Sequence, residues 1–233
     1  MHVISDDHYQ NIDLPFYKNE VSPYIPDVVL DFHTHIWESD QWINKPGKSD
    51  SAGGKYMVVE EQYTADNLVS DGKLLFPDKE FKAVCFGHPS PTAYLEKTNL
   101  CVAEAGKRPE IYPFLITGKG LHTTDEIRQQ INSYGFCGYK VFLNWAGDDY
   151  GNIAIEDMLS PIEMDIANEL QLPIMLHVPG SKRLADPRIQ DGVRNLAKDY
   201  PQANIILAHC GRCYLPDEMK AAISSVVDLE NVY

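Results

Sequence analysis

The stretch Val28–Trp37, VVLDFHTHIW, carries the chain from core into chemistry. A short apolar run leads to Asp31, His33 and His35. Successive side chains of a strand face opposite ways, so positions i and i+2 share a face. Asp31, His33 and His35 are therefore expected on one face, at the C-terminal end of a buried strand. The two histidine Cα atoms should stand about 6.6 Å apart. Imidazoles leaning together from such a strand can place two nitrogens on one metal ion at about 2.0–2.1 Å. A polar turn can also carry an isolated H-x-H, so the rest of the chain has to decide between the two.

On the N-terminal side, residues 1–27 are polar, contain Pro15, Pro23 and Pro26, and show no clear period. They read as an irregular arm or short cap. On the C-terminal side, residues 37–63 form a long loop carrying Trp37, Trp42 and Tyr56, placed to lie over whatever the histidines bind. Beyond it an alternation sets in. Helical patterns are expected at 64–75, 92–109, 123–135, 158–171, 186–201 and 216–230. Strand patterns are expected at 81–88, 111–118, 137–144, 172–180 and 204–211. The helices carry start and stop residues: Thr64 and Thr123 as caps, Pro161 in a first turn, Asp186 ahead of Pro187, and Gly135 at an exit. Asn231-Val232-Tyr233 reads as the start of a seventh strand.

Near-continuous apolar strands alternating with helices predict a parallel sheet covered by helices. An open doubly wound sheet and a (β/α)8 barrel both fit. No G-x-G-x-x-G opens the first helix, which removes the main support for a dinucleotide-binding sheet. The expected fold is thus a TIM-like (β/α)8 barrel occupying residues 28–233. A barrel takes about 250 residues, and this chain stops at 233 inside a strand. The barrel is expected to be incomplete at its C-terminus, with two βα units lying outside the sequence.

The net charge of −14 argues against a nucleic-acid or anionic-membrane partner, because either needs a basic patch. No apolar run reaches the roughly 18–20 residues of a membrane span. No secretory h-region stands in the first 27 residues. The five cysteines are Cys85, Cys101, Cys137, Cys210 and Cys213. They do not form a disulfide framework, and a reducing cytoplasmic setting is expected. Cys210 and Cys213 make a C-x-x-C without a second pair, and buried thiols are the simpler reading.

The other histidines fall into place around the first two. His177 ends LPIMLHVPG and His209 ends NIILAHCG, each at a strand tip before a Pro or Gly turn. Active sites of barrels sit at that face. Strand alternation groups Pro173, Met175 and His177 on one face, and Ile205, Leu207 and His209 on another. His88 also ends a strand but has no second supporting feature, and His2, His8 and His122 read as surface or loop residues. In the fourth strand, alternation points Lys140 inward with Gly138 and Phe142. A buried lysine needs a partner or a depressed pKa. It can be catalytic, carboxylated to bridge two metals, or ion-paired with an inner carboxylate such as Asp31. Lys182, Arg183 and Arg212 follow strands five and six and could clamp a substrate carboxylate. Trp37, Trp42 and Tyr56 could stack on a ring.

The ordered set HTH, an inward lysine, LHVPG and AHCG resembles the amidohydrolase superfamily of metal-dependent hydrolases. The closest likeness is to the amidohydrolase-related branch that also holds non-oxidative decarboxylases. The resemblance runs from about residue 28 to 231. It implies His33, His35 and His177 as metal ligands, and His209 as a second-metal ligand or a general acid/base. The family's strand-eight aspartate has no counterpart in this chain. The expected activity is hydrolysis of an amide, lactone or ester of a small organic, carboxylate-bearing substrate, with the residues assigned as follows. His209 and Lys140 are catalytic, while Trp37, Arg183 and Arg212 are substrate-binding. The cofactor is a divalent metal, Zn2+ first, then Mn2+ or Fe2+. The alternatives are decarboxylation of an unsaturated or aromatic acid, and a non-catalytic metal-binding fragment. The expected partners are a small-molecule substrate and a second copy in a homodimer.

Overall fold

The computed structural model describes residues 6–43 and 62–233. Six parallel strands form one sheet in the order β1-β2-β3-β4-β5-β6, so each pairs only with its neighbours in sequence. They are β1 (Val28–His35), β2 (Glu80–Phe86), β3 (Ile111–Ile116), β4 (Gly138–Val141), β5 (Pro173–Leu176) and β6 (Asn204–Leu207). The sheet curls into a half-barrel, matching an incomplete TIM barrel. Past β6, Val232 bridges Ile205 in parallel: the Ile205 N–H donates to the Asn231 carbonyl and the Tyr233 N–H to the Ile205 carbonyl, each at 2.8 Å. This is the seventh-strand start expected from the sequence.

The connecting helices are α1 (Ala65–Leu75), α2 (Leu95–Ala105), α3 (Thr124–Tyr134), α4 (Pro161–Leu170), α5 (Pro187–Asp199) and α6 (Pro216–Ser224). Local chemistry sets several of their starts. Thr64 with Asn67, Thr123 with Glu126 and Ser160 with Glu163 form reciprocal capping pairs, which satisfy backbone N–H groups that the first turn leaves open. Asp186 caps α5 through the Arg188 N–H. Gly135 ends α3 in the left-handed region, φ 73°, where a Cβ would be penalised.

Two apolar layers follow from the alternation of the strands. The outer layer joins strand residues such as Ala83, Cys85, Leu115 and Tyr139 to the helices. The inner layer is Val84, Phe86, Phe114, Ile116, Phe142, Met175 and Ala208. Val28 (45%), Leu30 (44%) and Phe32 (38%) of the edge strand β1 stay partly open to solvent. Among the described residues no helix is long and apolar enough to cross a membrane.

Residues 6–24 differ from the expected irregular arm. They run as successive helical turns of α, π and 3-10 type. Pro15 and Pro23 stand in opening turns of these pieces, where a missing N–H is tolerated, and Pro26 lies past them, just ahead of β1. The stretch is strapped to the α1–β2 connection. Tyr17 is buried, and its hydroxyl donates to Asp78, which also accepts from Ser22 Oγ at 2.6 Å. The Tyr9 hydroxyl donates to the Leu74 carbonyl at 2.6 Å. These contacts lie at the N-terminal end of β2, opposite the strand tips that carry the histidines.

Candidate active site

The first two histidines reach the interior by a route the alternation does not give. The β1–β2 ladder pairs Asp31 with Ala83 and Thr34 with Cys85, so one extra residue stands in β1. Such a bulge reverses the faces of everything after it. Asp31 lies beside Ala83, on the helix side, and is not on the face of His33 and His35. Phe32 is inside, edge-on to Phe114 at 6.1 Å. His33 and His35 then both point inward, each edge-on to Phe86, at 4.9 and 4.6 Å. The displaced carboxylate has a local use, since Asp31 Oδ1 accepts the His33 N–H at 3.1 Å. The expected Asp31–Lys140 ion pair falls away with this change of face.

The sixth strand departs in a second way. Ile206 pairs with inner-layer Met175, while Ile205 and Leu207 belong to the outer core. The grouping of Ile205, Leu207 and His209 on one face is therefore overturned. His209 turns inward because the chain enters a left-handed turn directly after Ala208. The φ/ψ values are 57°/40° at His209, 52°/44° at Cys210 and 61°/22° at Arg212, with Gly211 at φ 67°. Each non-glycine residue there costs roughly 1–2 kcal/mol. Strain of this kind clusters at functional sites. Only glycine fits at 211, because a Cβ would come within 2.5 Å of the Leu184 side chain.

The outcome is one cluster at the C-terminal strand ends. Ring centroids are 4.5 Å apart for His33 and His209, 5.5 Å for His33 and His35, and 5.6 Å for His177 and His209. Phe142 stacks on His35 at 5.8 Å and stands edge-on to His177 at 6.1 Å. His35 is oriented by a 3.0 Å hydrogen bond from Nδ1 to the Gly87 carbonyl, which leaves Nε2 with the lone pair. His177 Nδ1 is buried with no hydrogen-bond partner.

Burial, then the positive charge of Lys140, pushes the His33 pKa down to about 2. Burial pushes His35 to about 3 and, with Arg212 and Lys140 nearby, His177 to about 2. His209, more open, is lowered for the same reasons. All four imidazoles are thus neutral near pH 7 and offer lone pairs. Lys140 lies beneath them, fully buried and inward as expected. Its Nζ has no hydrogen-bond partner and stands 4.9 and 4.8 Å from the Phe86 and Phe142 ring centres. Burial holds its pKa well below the ordinary lysine range.

The donor set suits a divalent transition metal: neutral imidazoles, one of them oriented by a backbone carbonyl and one with an orphaned buried nitrogen. As the rings stand, no three His, Cys, Asp or Glu side chains among the described residues are close enough to hold one. Ligation would draw the rings together.

Around the cluster, Arg212 Nη1 donates to the Val178 carbonyl at 2.8 Å, and the Arg183 guanidinium lies 4.3 Å over the Tyr214 ring. Trp37 pairs through its backbone with Tyr63, and their rings are 5.6 Å apart. Trp42 packs on buried His88 at 4.1 Å. His88 Nδ1 accepts the Ser90 N–H. Tyr56 and the rest of 44–61 lie outside the described residues. Cys210 is exposed, Cys213 is buried, and both thiols are free. The sequence reading missed Phe86, the Gly87 carbonyl and Tyr214. The inner position of Phe86 follows from strand alternation. Nothing in the sequence marks the other two.

An amidohydrolase family model matches residues 30–233. Comparison with curated proteins gave no match. Among solved structures, the chain is similar to an amidohydrolase 2 from Bifidobacterium longum subsp. infantis. The identity is 19% and the TM-score 0.57, over 89% of this chain and 72% of that one. It is also similar to a TIM-barrel protein from Bordetella bronchiseptica, with 14% identity and TM-score 0.52, over 88% and 74% of the two chains. A third likeness is to 4-oxalomesaconate hydratase from Rhodopseudomonas palustris, with 14% identity and TM-score 0.52, over 88% and 73%. At these identities the structural likeness carries the fold, and the family model carries the lineage. The curled parallel sheet, the histidines at its strand tips and the match over residues 30–233 together assign the chain to the amidohydrolase family.

Proposed function

We propose that this chain is the catalytic part of a metal-dependent hydrolase acting on an amide, lactone or ester of a small organic substrate. One observation carries the reading: four neutral imidazoles from three strand tips converge over a buried, unpartnered lysine. His33, His35 and His177 would hold a divalent ion, with Zn2+ first and Mn2+ or Fe2+ next. When bound, such an ion supplies Lewis-acid polarisation of a carbonyl and activation of water. The chain's own residues do the rest. His209 is neutral and the most open of the four, so it can take a proton from the nucleophile and return it to the leaving group. Lys140, its pKa lowered by burial, exchanges a proton at the floor of the site. Phe86 and Phe142 keep water from that floor. Five free cysteines support a reducing, cytoplasmic setting.

The test is metal content by mass spectrometry, on wild type and on the His33→Ala/His35→Ala double variant, followed by hydrolysis assays. About one equivalent, lost in the variant, supports the reading. No uptake of added Zn2+ or Mn2+ by folded protein would sink it. About two equivalents would make Lys140 a bridging, carboxylated ligand.

A second reading is non-oxidative decarboxylation of an unsaturated or aromatic acid. It draws on Arg212, whose positive charge acts on both His177 and His209. Release of CO2 without consumption of water would select it over hydrolysis.

A further inference from the structure

The six arginines divide into two groups. Arg108, Arg128, Arg188 and Arg194 each pair with a carboxylate at the surface. Arg183 and Arg212 have no carboxylate partner among the described residues, although acidic side chains outnumber basic ones 34 to 20. Arg212 stands beside His177 and His209, and Arg183 stands next to Arg212. Arg212 is half-buried at the end of the left-handed turn that starts with His209. One of its nitrogens is fixed on the Val178 carbonyl, one residue past His177. This anchors the guanidinium between the two strand tips, with a second hydrogen bond to the Tyr214 side chain. The Arg183 guanidinium stands over the ring of Tyr214, two residues past Arg212, and its buried Nε has no hydrogen-bond partner. A positive corner without a carboxylate partner among the described residues, in a chain of net charge −14, is suited to an anion.

We propose that Arg212 and Arg183 form a carboxylate-binding subsite, and that the substrates are small organic acids held there with the reacting group over His209. The inference rests on the four-histidine cluster being the active site. A guanidinium offers paired N–H donors that match the two oxygens of a carboxylate. Arg212, already fixed, loses little freedom on binding. Arg183, pre-stacked on Tyr214, closes the outer side. The left-handed turn ties the two ends of the substrate together, because His209 and Arg212 are its first and last residues.

The test is calorimetric titration of zinc-supplemented protein with benzoate and with benzamide, its uncharged counterpart, at matched ionic strength. Metal content is measured on every sample. The variants are Arg212→Met, Arg212→Lys and Arg183→Met, each checked by circular dichroism and urea unfolding. Wild type should bind benzoate and not benzamide. Affinity should fall at least about tenfold in Arg212→Met, by less in Arg183→Met, and be partly restored in Arg212→Lys. Metal content should not change in any of the three. Three results would overturn the subsite: equal benzoate binding by wild type and folded Arg212→Met, equal binding of benzamide, or no benzoate binding at all. If benzoate binds through the arginines while no metal is taken up, the hydrolase reading fails and the subsite stands. If metal is normal and benzoate binding ignores the arginines, only the subsite falls.

Discussion

His33 and His209, from the two edge strands of the six-stranded sheet, stand with ring centres 4.5 Å apart. No ladder joins β1 to β6, so the approach comes from the curl of the sheet, a bulge at one end and a left-handed turn at the other.

The roles of these two residues should separate experimentally. His33→Ala/His35→Ala should remove the metal, read by mass spectrometry. His209→Asn should keep the metal and lower kcat by about 10²–10⁴, the range of a lost general acid/base. Loss of metal in His209→Asn would instead make His209 a ligand.

Lys140 should be worth more to activity than to stability. Its Nζ is buried with no partner, and such a group costs about 1–3 kcal/mol. Lys140→Met keeps much of the length without the polar end. It should raise the urea midpoint while abolishing turnover, the trade expected of a functional group in a core. A lowered midpoint would reveal a structural role for the amine.

Acid should unfold the metal-free protein earlier than its surface charges alone would. His33, His35 and His177 have pKa values of about 2, 3 and 2 in the folded chain, against 6.5 for a free imidazole. Below 6.5 the unfolded chain therefore binds more protons than the folded one. Stability is fully present above that pH and is lost as pH falls below it. Thermal midpoints between pH 7.5 and 4.5 should drop for wild type, and drop less for a variant carrying glutamine at all three positions.

Gly211→Ala should disturb the turn that links His209 to Arg212. The added methyl meets Leu184 at 2.5 Å, and φ 67° disfavours any side chain. A loss of about 1–3 kcal/mol in urea unfolding is expected, together with a larger loss of activity than stability alone explains. Unchanged activity would show that the turn can be re-formed without glycine.

Much of this architecture was legible in the residues because its determinants are local. Thr123 with Glu126 and Asp186 before Pro187 announce helix starts, and apolar runs ending in His177 or His209 announce strand tips. Counting by twos failed at two places. One inserted residue between Asp31 and Thr34 sends Asp31 to the helices and keeps both histidines inside. Three non-glycine residues in left-handed geometry bring His209 around. Neither departure has a composition signal, since His, Cys and Arg do not advertise positive φ as glycine does. Prolines near residues 15 and 23 read as breakers, yet each opens a helical turn in segment 6–24.

Strand pairing that follows sequence order has a mechanical corollary. The sheet is a ribbon whose two ends are held at a set separation by its bending, so the His33–His209 gap measures that bending directly. A ligand gripping both rings would act as a clasp on a spring. It would stiffen the ribbon along its whole width and slow amide exchange in β3 and β4, strands that carry neither histidine.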